Sequence, residues 1–398
     1  MVHNVKRLIL LNQMAGPMFR ELAEDLAPLY PEGCVLVTGH PDTLAKRLVV
    51  TPNLTIKMAP TYNRTSKFQR VYSWLSYTLV ASRYILLSGQ DDAILLVSNP
   101  PILGAWVWLL TRFKKTPYAV LVYDIHPDVL IRLGVLNPNS WMVKLWNAAN
   151  RKVYESANLT ITIGQRMAGL LNKQKSTKTK HVVTVTPWVD VNKMKPIKRT
   201  ENPYINKFLS VKDEFVVLYS GNMGASHDID SILMSALVLK NQTSIKFIFI
   251  GEGDKYNDID KFIQIHQLSN ISLFPFQPES MIKYSMAIAD VSLVSLDQGM
   301  EDLMVPSKSF YYLAVGSALI AITNDKSELS DLLHSNYCGI IVPPGQPDIL
   351  AESILNLASS PQDLALMKKN ARELAEKKYS RHACTLEFSE FLRQSGLL

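Results

Sequence analysis

The chain has 398 residues, of which 47% are hydrophobic, so it is long enough for two domains with ordinary cores. Its three cysteines, Cys34, Cys338 and Cys384, are far apart, which argues against a disulfide framework or a zinc site and favours a reducing compartment. Residues 1–195 carry 24 Lys and Arg against 11 Asp and Glu, whereas residues 196–398 carry 18 against 24. This basic first half suits an anionic membrane surface or a polyanionic substrate, and without a nucleic-acid motif we expect no nucleic-acid partner.

The first half alternates predicted strands and helices. Apolar runs predict strands at residues 6–12, 34–38, 93–98, 118–123, 159–163 and 182–186. Apolar residues at helical spacing predict helices at residues 19–29, 72–87, 103–112 and 140–156. Continuously apolar strands in such an alternation predict a parallel sheet covered on both faces. A turn containing Gly16 follows the first strand, as in a Rossmann-like unit, although the dinucleotide fingerprint G-x-G-x-x-G is absent. The short apolar run before Gln13 predicts no signal peptide.

The predicted helix at residues 72–87 has two interpretations. It carries Trp74 and Arg83 and follows the basic residues Arg64 and Arg70. We prefer a core helix with a polar start. The alternative is a partly exposed basic and aromatic surface that touches lipid headgroups.

Three ionisable residues follow the strand at residues 118–123. They are Asp124, His126 and Asp128. Because ligands of open α/β sheets bind at the carboxyl ends of strands, these residues form a candidate site. The basic run at residues 173–180 is interpreted as a solvated loop.

After a proline-containing segment at residues 188–206, which we interpret as a linker, the pattern starts again. Strands are predicted at residues 215–220, 247–250, 271–274, 291–296, 319–323 and 339–342. Helices are predicted from residue 228 onward and at residues 347–357, 361–376 and 382–394. The stretch at residues 299–316, G-M-E-D-L-M-V-P-S-K-S-F-Y-Y-L-A-V-G, reads as a loop that enters a helix near Pro306. Ser307 and Lys308 beside that helix start predict a phosphate site.

Several motifs of the second half resemble one family in order and spacing. V-L-Y-S-G-N-M-G, I-F-I-G-E-G-D-K and V-P-S-K-S-F-Y-Y-L-A-V-G are similar to motifs of retaining glycosyltransferase family 4, particularly of bacterial members that build exopolysaccharide and capsule repeat units. The resemblance implies the α/β GT-B fold, with two Rossmann-like domains that face each other across a cleft. Residues 1–195 would bind the acceptor and residues 196–378 the nucleotide sugar, with a C-terminal helix at 379–398 packing back on the N-terminal domain.

The resemblance also implies roles for individual residues. Lys308 and Lys255 would supply the positive charge that such folds use in place of a metal, so we expect no metal and no cofactor, only a nucleotide-diphosphate sugar as co-substrate. His126 and Asp124 would face the reacting sugar, and Phe276 and Gln277 would hold the base. The remaining implied donor contacts are Gly16, Gly221, Asn222, Gly224, Glu252, Glu301, Asp302, Pro306, Ser307 and Tyr311.

Tyr311 departs from the family pattern. Family members commonly carry two glutamates in this stretch, and the second of those positions is Tyr311 here. A tyrosine hydroxyl can bond a ribose, but it cannot accept two hydrogen bonds side by side as a carboxylate does. Glu301 and Asp302 are the nearby carboxylates that we expect to bind the sugar hydroxyls.

The expected function is retaining transfer of a sugar from a nucleotide-diphosphate sugar to a saccharide acceptor, lipid-linked, in cell-surface polysaccharide biosynthesis. We expect the enzyme in the cytoplasm, attached peripherally to the inner face of the cell membrane. Two alternatives stay open: a sugar-nucleotide 2-epimerase, which needs no acceptor, and a catalytically silent glycosyltransferase-like subunit, which the Tyr311 departure keeps in consideration.

Overall fold

The computed structural model describes residues 5–46, 51–63, 65–174, 182–209, 213–224, 227–296, 302–303 and 305–398. The chain divides into two compact units, which we call the first and the second domain. The first comprises the chain up to Thr186 together with His382–Leu398, and the second comprises Pro187–Arg381. The expected boundary at residue 195, within the expected linker, falls inside the second domain because Val189 and Met194 are buried in its core.

A parallel sheet forms the centre of the first domain. Its strands are β1 (Arg7–Leu11), β2 (Cys34–Thr38), β3 (Leu54–Met58), β4 (Asp92–Val97), β5 (Tyr118–Val122), β6 (Leu159–Thr162) and β7 (Val182–Thr184). They pair in the order β3-β2-β1-β4-β5-β6-β7. The central strands β4 and β5 are buried at every residue, as expected when helices cover both faces of a parallel sheet.

In the described part of this domain, seven helices connect the strands. They are α1 (Pro17–Leu26), α2 (Pro41–Ala45), α3 (Lys67–Leu87), α4 (Leu103–Lys114), α5 (Asp128–Arg132), α6 (Trp141–Ser156) and α7 (Gln165–Gln174). A 3-10 turn at Ala27–Leu29 extends α1. The sequence did not predict α2, α5, α7 or β3. Most of the basic run at residues 173–180 lies outside the described residues.

Helix α3 differs from the preferred interpretation as a core helix. Its inner side does pack on the core, since Tyr77 and Ala81 are fully buried. Its outer side does not, because Phe68 and Leu79 are 81% and 70% exposed. Arg64, which was expected to begin a basic surface here, lies outside the described residues. The interpretation is therefore wrong for one side of the helix, which presents apolar residues to solvent.

The second domain contains another parallel sheet. Its strands are β8 (Phe215–Ser220), β9 (Ile245–Ile250), β10 (Ile271–Phe274), β11 (Val291–Ser295), β12 (Ala318–Ile322) and β13 (Gly339–Val342). They pair in the order β10-β9-β8-β11-β12-β13. This order is typical of Rossmann folds, and it changes direction between β8 and β11.

The remaining helices are α8 (Ile205–Phe208), α9 (Ile229–Val238), α10 (Tyr256–His266), α11 (Glu279–Met286), α12 (Lys308–Ala314), α13 (Glu328–Asn336), α14 (Pro347–Ser359), α15 (Pro361–Lys378) and α16 (Arg381–Gln394). Asp228 caps α9 by accepting a hydrogen bond from the backbone N–H of Ser231 at 3.0 Å. After α16, the chain is fixed to the first domain by the Tyr30 hydroxyl, which donates to the Leu397 carbonyl at 2.8 Å.

Both domains are therefore Rossmann-like, and the predicted α/β class with two such domains is confirmed. Within the described ranges, no helix combines the length and the apolar character needed to cross a bilayer.

Candidate functional site

The main candidate site lies in the second domain, where the strand order changes direction. Strands β8 and β11 end side by side at this point, and in open α/β sheets the crevice beyond such strand ends binds ligands. The loop Gly221–Gly224 follows β8, and Lys308 begins α12, the next helix after β11. The sheet therefore brings together two of the segments that the sequence predicted as phosphate contacts.

Glycines allow the loops after β8 and β9 to pack backbone against backbone. Gly251 has a φ of +152°, and a Cβ atom there would overlap the carbonyl oxygen of Gly221. A Cβ atom on Gly253, whose φ is +143°, would lie 2.5 Å from the Met223 carbonyl oxygen. The Met223 N–H donates to the Glu252 carbonyl at 2.8 Å. Only residues without a side chain fit these positions, so the two glycine turns form one fixed unit.

This packing limits which backbone groups can reach a phosphate. The Gly221 N–H donates to the Ile250 carbonyl at 2.8 Å, and the Met223 N–H is used as described above. The N–H groups of Gly221 and Met223 are therefore not available to bind a diphosphate. The Lys308 side chain lies beside Gly221, since a Cβ atom on Gly221 would be in ordinary van der Waals contact with Lys308 Cδ at 3.7 Å.

Lys308 carries the unusual electrostatics of the site. Its ammonium Nζ is buried and has no hydrogen-bond partner among the described residues. It lies 3.9 Å from the centroid of the Tyr219 ring, close enough for a cation–π contact. Burial lowers the pKa of Lys308 to about 7, because an unpaired ammonium is costly away from water. An anionic group that reaches Nζ would supply the missing counter-charge.

The ammonium, rather than the helix end, accounts for the anion preference. Helix α12 has only seven residues, so few peptide dipoles are aligned along it. Ser307 at its N-cap is exposed and makes no capping hydrogen bond. The sequence predicted both Ser307 and Lys308 as phosphate contacts, and the buried ammonium makes Lys308 the better supported of the two.

Sequence reasoning missed the residues that support Lys308. The Tyr219 hydroxyl donates to the Asn222 carbonyl at 2.9 Å and shares a 2.7 Å hydrogen bond with Nδ1 of His227. The Tyr312 hydroxyl accepts from the Ser220 N–H and donates to the Ser220 carbonyl, both at 2.8 Å. These aromatic residues fix the end of β8 beneath the ammonium. A long-range bond between a hydroxyl and the backbone leaves no local pattern in the sequence.

The other predicted donor contacts of the second domain are placed as follows. Lys255 Nζ pairs with the exposed carboxylate of Asp230 at 2.9 Å, so its charge already has a partner. Gln277 accepts a 2.7 Å hydrogen bond from Lys207, and Phe276 is 52% exposed beyond β10. Asn222, Glu252 and Tyr311 are exposed, Asp302 and Pro306 are half-buried, Gly224 is buried, and Glu301 lies outside the described residues.

A second candidate site lies in the first domain at the end of β5. The Ser98 hydroxyl accepts hydrogen bonds from the N–H groups of Tyr123 and Asp124, at 3.1 and 3.2 Å, and so fixes the turn. Asn150 Nδ2 donates to the His126 carbonyl at 2.6 Å, and Trp146 stacks on the His126 ring at 6.0 Å. Helix α6, which carries both residues, thus positions the histidine.

His126 itself is kept largely out of water. Its Nδ1 is buried without a hydrogen-bond partner among the described residues. Burial lowers the pKa of His126, although the carboxylates of Asp124 and Asp128 act in the opposite direction. A cavity of about 20 Å³ lined by Asp124, His126 and Asn150 is large enough for one water molecule. A neutral imidazole beside a carboxylate is a suitable group for contacting sugar hydroxyls.

Gly16, predicted as a donor contact, lies in the first domain. It is the N-cap of α1 and follows β1, whose carboxyl end is on the same sheet edge as that of β5. A Cβ atom on Gly16 would lie 3.6 Å from His40 Nε2. Across the part of the chain that the structure describes, no group of three His, Cys, Asp or Glu side chains is arranged to hold a metal ion.

The second domain resembles a known family in sequence. Residues 201–374, which lie within the second domain, match the family model "Glycosyl transferases group 1". The match covers less than half of the chain. The chain is 28% identical over 309 residues to "Probable glycosyltransferase WbjE" of Pseudomonas aeruginosa, covering 78% of this chain and 74% of the relative. It is 24% identical over 294 residues to a protein of Escherichia coli strain K12 named as a colanic acid biosynthesis glycosyl transferase, WcaI, covering 72% of this chain and 68% of the relative.

A solved structure supports the fold. The crystal structure of Anabaena Alr3699/HepE in complex with UDP superposes with a TM-score of 0.74, covering 98% of this chain and all of that one, at 14% identity. The predicted glycosyltransferase identity is thus supported by the group 1 domain and by the relatives' names. Assignment to family 4 and the retaining outcome stay predictions.

Proposed function

We propose that the protein transfers a sugar, with retention of configuration, from a nucleotide-diphosphate sugar to a saccharide acceptor. One observation carries the proposal: the Lys308 ammonium is buried, has no hydrogen-bond partner among the described residues, and lies at the strand crossover of the region that matches the glycosyl transferases group 1 model. A diphosphate supplies the negative charge that this ammonium lacks. The Tyr219 ring beside it carries no formal charge.

Lys308 would act mainly on the leaving group. As the bond between sugar and diphosphate breaks, negative charge grows on the phosphate oxygen, and a fixed cation stabilises that charge more than it stabilises the bound donor. In the proposed retaining reaction the leaving diphosphate takes the proton of the attacking hydroxyl on the same face of the sugar. The protein then contributes positioning and electrostatics, and no metal is part of the proposal.

The remaining donor contacts are proposed from the sequence. Phe276 and Gln277 would hold the base, and Glu301 and Asp302 would bind sugar hydroxyls. Tyr311, at least one-third exposed, would donate its hydroxyl to the ribose. In the first domain His126 and Asp124 would contact the reacting sugar, which suits the neutral imidazole and its neighbouring carboxylate.

The acceptor and its location are also proposed. WcaI is named for the biosynthesis of colanic acid, and this supports a role in cell-surface polysaccharide assembly with a lipid-linked acceptor. The excess of basic residues in residues 1–195 supports peripheral attachment to the anionic inner face of the cell membrane. The protein would then work in the cytoplasm, where nucleotide sugars are available.

The experiment is product analysis by mass spectrometry and NMR, with a panel of nucleotide sugars offered to the protein with and without a bacterial lipid extract. We expect an α-linked sugar on a lipid-linked saccharide from an α-linked donor. An inverted linkage would contradict retention. An epimer formed from donor alone would identify a 2-epimerase, and failure to bind any nucleotide sugar in a thermal-shift panel would identify a silent subunit.

A further inference from the structure

Helix α3 leaves a stripe of apolar side chains in solvent. Phe68, Tyr72, Leu75 and Leu79 recur at the spacing of one helix face and are 81%, 66%, 50% and 70% exposed. Leu86 continues the stripe and is 50% exposed. Single exposed apolar residues are ordinary on a protein surface, but a continuous stripe marks an interaction site.

Helix α4 repeats the pattern beside α3. Ile102 at its N-cap, then Trp106, Leu109 and Phe113, have the same spacing and are 40%, 40%, 39% and 80% exposed. Trp106 Nε1 donates to the Ser82 hydroxyl on α3 over 2.6 Å. This hydrogen bond holds the two stripes side by side, so they form one surface.

Helix α6 extends the surface on the other side of α4. Trp141 and Leu145 are 73% and 62% exposed, and Trp108 Nε1 on α4 donates to the Ser156 hydroxyl at the end of α6 over 3.1 Å. We call the solvent-facing side of these three helices the outer face. Helices α3, α4 and α6 hold 13 of the 27 large hydrophobic side chains that are exposed among the described residues. The apolar exposure is therefore concentrated, not scattered.

The charges of the same helices indicate what covers the outer face. Helices α3, α4 and α6 contain eight Lys and Arg and a single acidic residue, Glu155. Arg83, Arg112 and Lys144 are exposed. Cationic side chains around an apolar surface match an anionic bilayer, whose phosphates take the charges while apolar side chains enter the boundary with the acyl chains.

A cationic groove lies at the end of α4, next to Phe113. It has a volume of about 640 Å³ and is lined by Arg112, Lys115 and Lys152, with Trp108 as its aromatic wall. Glu155 also lines it, but lies 3.7 Å from Lys152 and balances only one of the three positive charges. The groove therefore suits the phosphate of a lipid headgroup at the level where Phe113 enters the bilayer.

We propose that the outer face docks the protein on an anionic phospholipid bilayer. Trp106, Phe113 and Trp141 enter the boundary between headgroups and acyl chains, and the cationic groove binds lipid phosphates. This inference rests on the proposed membrane attachment and names the surface that makes it. It does not depend on the glycosyl transfer.

The test measures flotation of the full chain with vesicles of phosphatidylcholine, with and without phosphatidylglycerol. Leu79→Glu combined with Phe113→Glu places two charges on the outer face at highly exposed positions, which should leave the fold intact. Ile265→Glu combined with Leu366→Glu makes the same charge change on the second domain, where the side chains are 74% and 47% exposed. We expect the first pair to lower the vesicle partition coefficient at least about tenfold and the control pair to change it by less than about twofold. Circular dichroism and nucleotide binding verify that both variants are folded.

Two further measurements address the groove and the depth of insertion. Arg112→Gln with Lys115→Gln should lower binding to vesicles that contain phosphatidylglycerol and leave the weaker binding to phosphatidylcholine unchanged. Brominated lipids should quench tryptophan fluorescence in the native protein. Trp106→Phe with Trp141→Phe should remove most of that quenching.

Each outcome decides one point. If the native protein floats and the Leu79→Glu, Phe113→Glu variant floats equally well, membrane attachment stands, but the outer face is not the surface that makes it. If the native protein does not float with anionic vesicles, both are refuted, and a protein partner for the outer face becomes the explanation to test. Sugar transfer to a detergent-solubilised acceptor is measured separately on the same variants, so its failure would refute the proposed chemistry alone.

Discussion

The loops at the carboxyl ends of the two sheets are held in place by different kinds of contact. In the second domain, Gly251 and Gly253 allow the loops after β8 and β9 to pack backbone against backbone, and the Lys308 side chain lies beside Gly221. In the first domain the contacts are made by side chains, since Ser98 fixes the turn and Asn150 holds His126. An edge formed by backbone tolerates few substitutions, whereas an edge formed by side chains can change its chemistry one residue at a time. This difference fits a fixed donor end and an adaptable acceptor end.

The largest expected effect is on catalysis in the second domain. Lys308→Ala removes the buried ammonium at the crossover and should lower kcat about a hundredfold or more, as for loss of a preorganised charge donor. Lys255→Ala is the matched control, because its ammonium already pairs with exposed Asp230, and it should cost about threefold or less. Initial rates at saturating donor measure both. Equal losses in the two variants would show that Lys308 has no special role.

The backbone packing predicts a strong stability effect. Gly251→Ala places a Cβ atom against the Gly221 carbonyl oxygen and should cost about 3 kcal/mol of unfolding free energy. Gly345→Ala is the control: its φ is +72° but nothing lies within 4 Å of its Cβ position, so only the backbone strain of about 1 kcal/mol applies. Urea unfolding followed by circular dichroism compares them. Similar midpoints would mean that the two loops are not packed as described.

The first-domain edge should affect chemistry without affecting nucleotide binding. His126→Ala should lower kcat about tenfold or more, in the range of lost polar contacts to a reacting group. The nucleotide diphosphate should bind unchanged, because its proposed contacts belong to the second domain. His334→Ala, at an exposed position on α13, is the control. A parallel fall in nucleotide affinity, measured by calorimetry, would contradict the division between the two edges.

The smallest effect at neutral pH is a pH dependence that depends on Lys308. Burial lowers the pKa of Lys308 to about 7, so the folded, unliganded protein loses this charge at a pH where the unfolded chain still keeps it. As pH rises from about 7 towards the ordinary lysine value, the stability of the unliganded protein therefore increases. Affinity for nucleotide diphosphate should fall over the same range, by at most about tenfold per pH unit, because binding needs the charged form. Calorimetric titrations across this range should show the fall in the native protein and a flat profile in Lys308→Ala.

The sequence predicted the second domain's sheet more completely than that of the first. The predicted strands at 215–220, 271–274 and 339–342 agree with β8, β10 and β13 at both ends, because each is a mainly apolar run without a charged residue. Strand β3 was missed since it lies at a sheet edge, where Thr55 and Lys57 are exposed and break the apolar run. Short amphipathic helices such as α7 and α13 were missed for the related reason that their apolar residues are few.

The candidate site was predictable only in part. Lys308 and the glycine turns follow strands in the sequence, so their convergence could be inferred from the parallel sheet. The burial of the Lys308 ammonium, the Tyr219 ring beside it and the pairing of Lys255 with Asp230 depend on contacts between distant segments. The exposure of the outer face could not be predicted for another reason. An apolar helical pattern does not show whether another part of the protein covers that side of the helix.

The Tyr312 hydroxyl pairs with backbone groups at the end of β8, where no pairing with β11 is described. Pairing between β8 and β11 is described only from Val217 to Leu218, whereas β8 stays paired with β9 as far as Ser220. Beyond Leu218, both polar backbone groups of Ser220 bond to the Tyr312 hydroxyl at 2.8 Å. The sheet thereby gains width for a ligand at its crossover without leaving a buried N–H and a carbonyl unsatisfied. Tyr311 and Tyr312 are neighbours with different surroundings: the Tyr311 side chain is exposed, whereas Tyr312 is fully buried and bonds both polar backbone groups of Ser220.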